Sequence, residues 1–354
     1  MSELFGSVFS RGGAAAAVSD AAWLRAMLRV EAAIARAAAD AGAVSAEAAA
    51  AVAETAETGR FDPAAVAAAA GRIGNPVAGV VDRLRELVAE EHHEAIHFGA
   101  TSQDVLDTAM MLVARAALSA VETDLRQCAR AALALREAHG STPMTGRTLL
   151  QAAAPIEFNG VLGSWITGLG LAREGLAGLG YHVSYRGPVG PCAIGRAPRT
   201  EAVHDGLGDA LDLRTDLAWH TVRSPVVRIG AAAAEAAGAC GKVAVDIILL
   251  SQSETGEVGE GRPGGSTSMP HKRNPVAATA ARACAARAPG LVATLYAAMP
   301  QELQRSPGLW HSEWETLSDL LRLTGSAASW LRESLEGLRI RPEAMLRNLE
   351  RGLE

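Results

Sequence analysis

The chain reads as an all-α protein, a bundle of long helices with a small helical N-terminal domain, on three observations. Hydrophobic residues make up 49% of its 354 residues and aromatic ones only 4%, so the core is filled by small and aliphatic side chains, which favours packed helices over a sheet sandwich. Apolar residues recur at helical spacing over runs well beyond the roughly 11 to 12 residues of an average helix. Glycine and proline gather in a few breaks between those runs.

Taken in order, Ser19 or Asp20 caps a helix that sets Trp23, Met27, Val30 and Ile34 on one stripe and stops at Gly42. Further helices are expected over 46–58, 76–91, 103–138, 156–180, 226–255, 275–299 and 314–336. Breaks fall at Gly71–Pro76, Gly140–Arg147, GPVGPCAIGRAP (187–198), Gly256–Pro275 and Pro300–Pro307. These divide the chain into a helical N-terminal domain (1–95), a central bundle (96–340) and a short tail (341–354).

Composition also excludes partners. A net charge of −6, with acids and bases interspersed, leaves no basic face for nucleic acid. Cys128, Cys192, Cys240 and Cys284 are widely spaced with no CxxC pair, as expected of buried free thiols in a reducing compartment, and no metal site is expected. No uncharged run reaches the roughly 18 apolar residues of a membrane span, and no signal segment is evident, so a cytoplasmic location is expected.

The chemistry concentrates in the breaks. In HFGATSQDVLDT (97–108), Thr101 and Ser102 suit a plain helix cap or a ligand site equally, with Asp104 in the first turn. In TGRTLLQAAAP (145–155), Arg147, Thr148 and Gln151 are polar groups in an apolar neighbourhood, costly unless satisfied. In WHTVRSP (219–225), His220 and Arg223 precede a long helix. The strongest segment is GGSTSMPHKRNP (264–275). There Asn274 is expected as an N-cap with Pro275 at the first helical position, so the loop empties into a helix start of partial positive charge. Lys272 adds a full charge, and Ser266 stands on a glycine-rich segment suited to moving a proton. Such a loop welcomes a carboxylate or a developing oxyanion. Neither a GK[ST] phosphate loop nor a GxSxG elbow is present.

Together, GGSTSMPHKRNP, HFGATSQDVLDT and TGRTLLQAAAP resemble, in order, three motif regions of the fumarase/aspartase superfamily. The resemblance implies a homotetramer of long helices with each active site built from three subunits. It implies Ser266 as the catalytic serine and Lys272 beside it, with Thr101, Ser102, Gln151, Met269 and Asn274 around the substrate carboxylates. Most of these lyases carry histidine in the third motif, roughly RTHLQ, where this chain has Leu149. Losing such an acid costs typically 100 to 10,000-fold when the leaving group needs a proton, but a carboxylate, with a pKa near 4, needs none. The chain is therefore most similar to the branch that lactonises 3-carboxy-cis,cis-muconate in protocatechuate degradation, a match extended by GNPV (74–77), WHTVR and QELQRSPGLWHSEW (301–314). That substrate is a small tricarboxylate, and Arg305, Arg147, Arg223 and His220 are candidates to pair with it. No cofactor is implied, since the chemistry is neither redox nor hydrolysis. Alternatives are an adenylosuccinate- or argininosuccinate-type lyase and a non-catalytic structural homologue. The chain also stops about where many relatives begin a third helical domain, so that domain is expected to be missing. Ser224 stands where aspartate is common in the family.

Overall fold

The computed structural model describes residues 3–189 and 198–353. Helices α1 (Glu3–Phe9), α2 (Gly12–Ala17), α3 (Asp20–Asp40), α4 (Ala46–Thr58), α5 (Pro63–Ile73) and α6 (Pro76–Leu87) lead through a 3₁₀ turn, Glu90–Ala95, to the 38-residue α7 (Ser102–His139). A hairpin of β1 (Pro143–Thr148) and β2 (Gln151–Glu157) follows, then α8 (Phe158–Ala177), α9 (Pro198–Leu211), α10 (Ser224–Leu250), β3 (Val258–Gly259) and α11 (Val276–Ala285). The chain continues through α12 (Ala288–Ala297), α13 (Leu309–Glu336), β4 (Arg339–Ile340) and α14 (Pro342–Leu353).

Local chemistry explains the helix starts. Ser19, Ser45, Asp62 and Asn75 each accept a first-turn N–H, from Ala22, Ala48, Ala64 and Ala78 at 3.0–3.3 Å. Pro63 and Pro76 occupy first helical positions, where the missing N–H costs nothing. The long helices α7, α10 and α13 pack on one another, with α8 along α7 and α10, and α11 against α10 and α13. Small residues set the spacing. A Cβ on Gly325 of α13 would stand 2.3 Å from Ala14 Cβ of α2, so that crossing requires glycine. The buried apolar cluster runs from Ala14 to Met345 without a break at the expected boundary near residue 95.

The structure departs from the sequence expectation in several elements, among them α1, α2, α5 and α9, for which no helix was expected. Residues 143–157, expected as break and helix start, form the hairpin, in antiparallel register from Pro143↔Glu157 to Thr148↔Gln151. The helix expected over 275–299 is two, α11 and α12. Pro289 explains this, because proline cannot donate to a continuing helix but fits the first turn of a new one. The tail at 341–354 carries the amphipathic α14, packed against the hairpin. Cys128, Cys240 and Cys284 are buried free thiols, while Cys192 and most of the break at 187–198 lie outside the described residues. No single helix among the described residues is long and apolar enough to cross a membrane.

Candidate active site

Three groups of predicted residues stand at three places. The first is the start of α7, where the loop before it brings Thr101 to Arg305: Arg305 Nη2 donates to Thr101 Oγ1 at 2.7 Å and to the Pro188 carbonyl at 3.2 Å. Asp104, fully buried, accepts the N–H groups of Thr101, Arg186 and Gly187 at 2.8–3.1 Å. Burial pushes its pKa up to about 6 against those three hydrogen bonds. His220 is buried beside it, Nδ1 lying 4.0 Å from Asp104 Oδ1, and among the described residues neither ring nitrogen makes a well-aligned hydrogen bond. Burial, helped by Arg305 and Arg223 and opposed by Asp107 and the Gln304 backbone, lowers its pKa to about 4, so the ring is neutral at pH 7. Thr101, Ser102, His220 and Arg305 thus form one cluster with spare polar atoms.

The second group is the hairpin tip. Thr148 pairs with Gln151, and Leu149 and Leu150 form the two-residue turn between them, with φ of 51° and 65°. Leu149 is 97% exposed. Arg147 is satisfied within the chain, as a polar group in an apolar neighbourhood must be. Its Nη1 and Nη2 donate to both oxygens of the buried Glu257, at 3.0 and 2.6 Å, so its fork holds the hairpin to the segment after α10.

The third group is the loop before α11. Gly264 and Asn274 pair through two backbone bonds of 2.9 Å and close its neck. A Cβ on Gly264 would stand 2.1 Å from Val276 Cγ2, so the neck admits only glycine. Beyond it, half-buried Ser266 accepts the Met269 N–H at 3.2 Å, and Met269 and Lys272 face outward. Asn274 is not the N-cap: its side chain donates to the Gly265 carbonyl at 3.1 Å, and Pro275 precedes the first helical residue, Val276. Nor is the helix start free to hold substrate. The buried Glu260 carboxylate accepts the N–H groups of Ala277 and Ala278, at 3.1 and 2.8 Å, and the Ser334 hydroxyl at 2.6 Å.

Arg223 is likewise paired inside the chain. It is fully buried, pairs with Asp107 and Glu313, and also donates to the His220 carbonyl. Trp310 Nε1 and Gln103 donate to Asp107, and Gln301 to Glu313. Burial raises Glu313 to about 7 against the pull of Arg223. The matches at WHTVR and QELQRSPGLWHSEW therefore share a physical cause: they are two walls of one buried ionic network behind His220 and Arg305.

Residues 13–290, most of the chain, match the lyase family. The chain belongs to that family. Among its lyase relatives, a nitrosuccinate lyase of Streptomyces davaonensis is 42% identical, over 95% of this chain and 74% of its own length. A 3-carboxy-cis,cis-muconate cycloisomerase of Pseudomonas aeruginosa is 40% identical, over 98% of this chain and 78% of its own. The crystal structure of the 3-carboxy-cis,cis-muconate lactonizing enzyme from Pseudomonas putida superposes with a TM-score of 0.92 at 37% identity, covering 99% of this chain and 80% of that one. These place the helical bundle among the fumarase/aspartase-type lyases. Within a single lyase chain no hydrogen bond or ion pair among the described residues joins the α7 cluster, the hairpin tip and the Ser266 loop. Sequence reasoning missed Asp107, Glu257, Glu260 and Glu313; Asp107, set in the apolar run VLDTAMML, carried a signal, since a carboxylate buried there must be paired, whereas the three glutamates stand in polar segments that look solvated.

Proposed function

We propose that the chain is a cytoplasmic cycloisomerase that closes 3-carboxy-cis,cis-muconate to its lactone, acting as a homotetramer whose active sites combine the three groups from different subunits. Leu149 carries the reading of the reaction. An apolar residue at the hairpin tip supplies no acid, which suits chemistry in which the group that departs in the reverse direction is already a stable anion. The relatives of P. aeruginosa and P. putida support the substrate. Exposed apolar residues support the assembly: Leu149, Leu150, Val222 and Leu303 lie on the site loops, where a neighbouring chain would cover them.

In this reaction a substrate carboxylate oxygen adds to the double bond, and negative charge gathers on the carbon beside another carboxylate. Lys272 and the loop N–H groups stabilise that charge, and Ser266, resupplied from water, delivers the proton to carbon. Thr101, Ser102 and Arg305 hold a second carboxylate, with neutral His220 as a hydrogen-bonding wall. Thr148, Gln151 and Met269 line the remainder, and Asn274 shapes the loop. Arg147 and Arg223 are committed elsewhere, so Lys272 and Arg305 supply the positive charge.

A second reading has its own support. The S. davaonensis relative is named for nitrosuccinate, and nitrite too departs as a stable anion, while two cations match a dicarboxylate well. Turnover of carboxymuconate and of nitrosuccinate, followed by ultraviolet absorbance on the same preparation, tests both. A kcat/KM at least tenfold higher on carboxymuconate is expected; the reverse ratio hands the site to the elimination, and activity on adenylosuccinate alone rejects both.

A further inference from the structure

Glu31 lies in the middle of α3 and is fully buried. Among the described residues its carboxylate meets one partner only, His97: Oε2 accepts the His97 backbone N–H at 3.1 Å, and Oε1 faces Nδ1 at 2.6 Å. Burying a carboxylate is expensive, and it persists only where the pairing is close and charge-assisted. The residue so held is itself strained. His97 has a φ of 56°, a left-handed conformation that is unfavourable for a non-glycine residue and lasts only when surrounding contacts impose it.

His97 stands four residues before Thr101; the Ala100 N–H donates back to the His97 carbonyl at 3.2 Å, and the other steps are fixed from outside the loop. The Tyr185 hydroxyl donates to the Phe98 carbonyl at 2.7 Å. Gly99, with φ of 61°, passes so close that a Cβ would stand 2.7 Å from the same hydroxyl. The Thr101 N–H donates to Asp104. Burial disfavours the charged imidazole, but Glu31 outweighs it and the His97 pKa lies above its ordinary value, with Asp104 adding to the rise and Arg85 opposing it.

We propose that Glu31 is a positioning residue of the reaction: by clamping His97 in its left-handed conformation it sets Thr101 and Ser102 against the substrate carboxylate. The clamp rests on the reading of those two residues as carboxylate binders. An ion pair that only fastened α3 would lower stability throughout, whereas a clamp acts on the loop and on substrate capture.

The test uses the full-length assembled protein with Glu31→Gln, His97→Ala and His97→Asn. Glu31→Gln and His97→Ala are expected to raise the KM for carboxymuconate about tenfold or more with kcat within about threefold. Asparagine tolerates the left-handed region and its amide can donate to Glu31, so His97→Asn restores most of the loss. Hydrogen exchange followed by mass spectrometry is expected to show peptides over 97–102 exchanging about tenfold faster in Glu31→Gln, with α4 and α10 unchanged. A wild-type KM together with unchanged exchange at 97–102 overturns the clamp, as does exchange rising equally along all of α3 with kcat and KM moving together. Exchange needs no substrate, so if the wild type fails to turn over carboxymuconate, the functional reading falls alone and the exchange result still decides the clamp.

Discussion

Ser266 and His220 show how much of the site rests on single side chains. Ser266 was legible because a hydroxyl on a glycine-rich loop beside lysine has few structural uses. Ser266→Ala is expected to leave the fold intact and lower turnover by about 100-fold or more, with Ser268→Ala costing far less, as steady-state kinetics on both variants will show. His220 was legible as a candidate, but its neutrality was not, because that follows from burial. Its folded pKa, about 4, lies below the unfolded value of about 6.5, so its contribution to stability is complete above pH 6.5 and is lost as pH falls toward 4. Asp104 and Glu313, raised to about 6 and about 7, act in the opposite sense, contributing at low pH and losing that contribution as pH rises through those values. The His220 share is isolated by comparing urea unfolding of the wild type and His220→Asn from pH 7 to pH 4. The wild type is expected to lose more stability over that range, by up to about 3 kcal/mol; parallel curves would assign the acid sensitivity to other groups.

Among the elements, the long helices announced themselves, while the hairpin and shorter helices such as α5 and α9 did not. Capping side chains and long apolar periodicity act within one element, so α3 and α4 begin where the sequence puts them. The seven residues of β2 are all exposed, so neither face is selected to be apolar and no alternation marks the strand. Its turn is also unconventional: positive φ at both central positions normally calls for Asn-Gly, and here two leucines stand there. The strain, with the exposure of Leu149, indicates a turn kept for what it meets outside its own chain. Replacing Leu149→Asn and Leu150→Gly together is therefore expected to leave thermal stability of the subunit fold equal or raised, by about 1 kcal/mol, while activity falls at least tenfold. Calorimetry and kinetics on the same preparation separate the two effects, and full activity would show that the leucines serve only the turn.

At the scale of the whole molecule, the open hairpin and the outward-facing loops predict association. Sedimentation is expected to give four times the 36.6 kDa chain mass, and an active stable monomer would contradict the shared site. The sequence by itself determined the helical class, the approximate limits of the long helices, the three motif segments and the absence of an acid at 149, because each is written in local periodicity, caps or residue identity. Tertiary structure alone decided which charges remain for substrate. Arg147 and Arg223 look like ligands in one dimension, yet Glu257 and the pair Asp107 and Glu313, 90 to 116 residues away along the chain for the nearest and farthest of these contacts, neutralise them in three, while Glu260 occupies the helix start offered to an oxyanion.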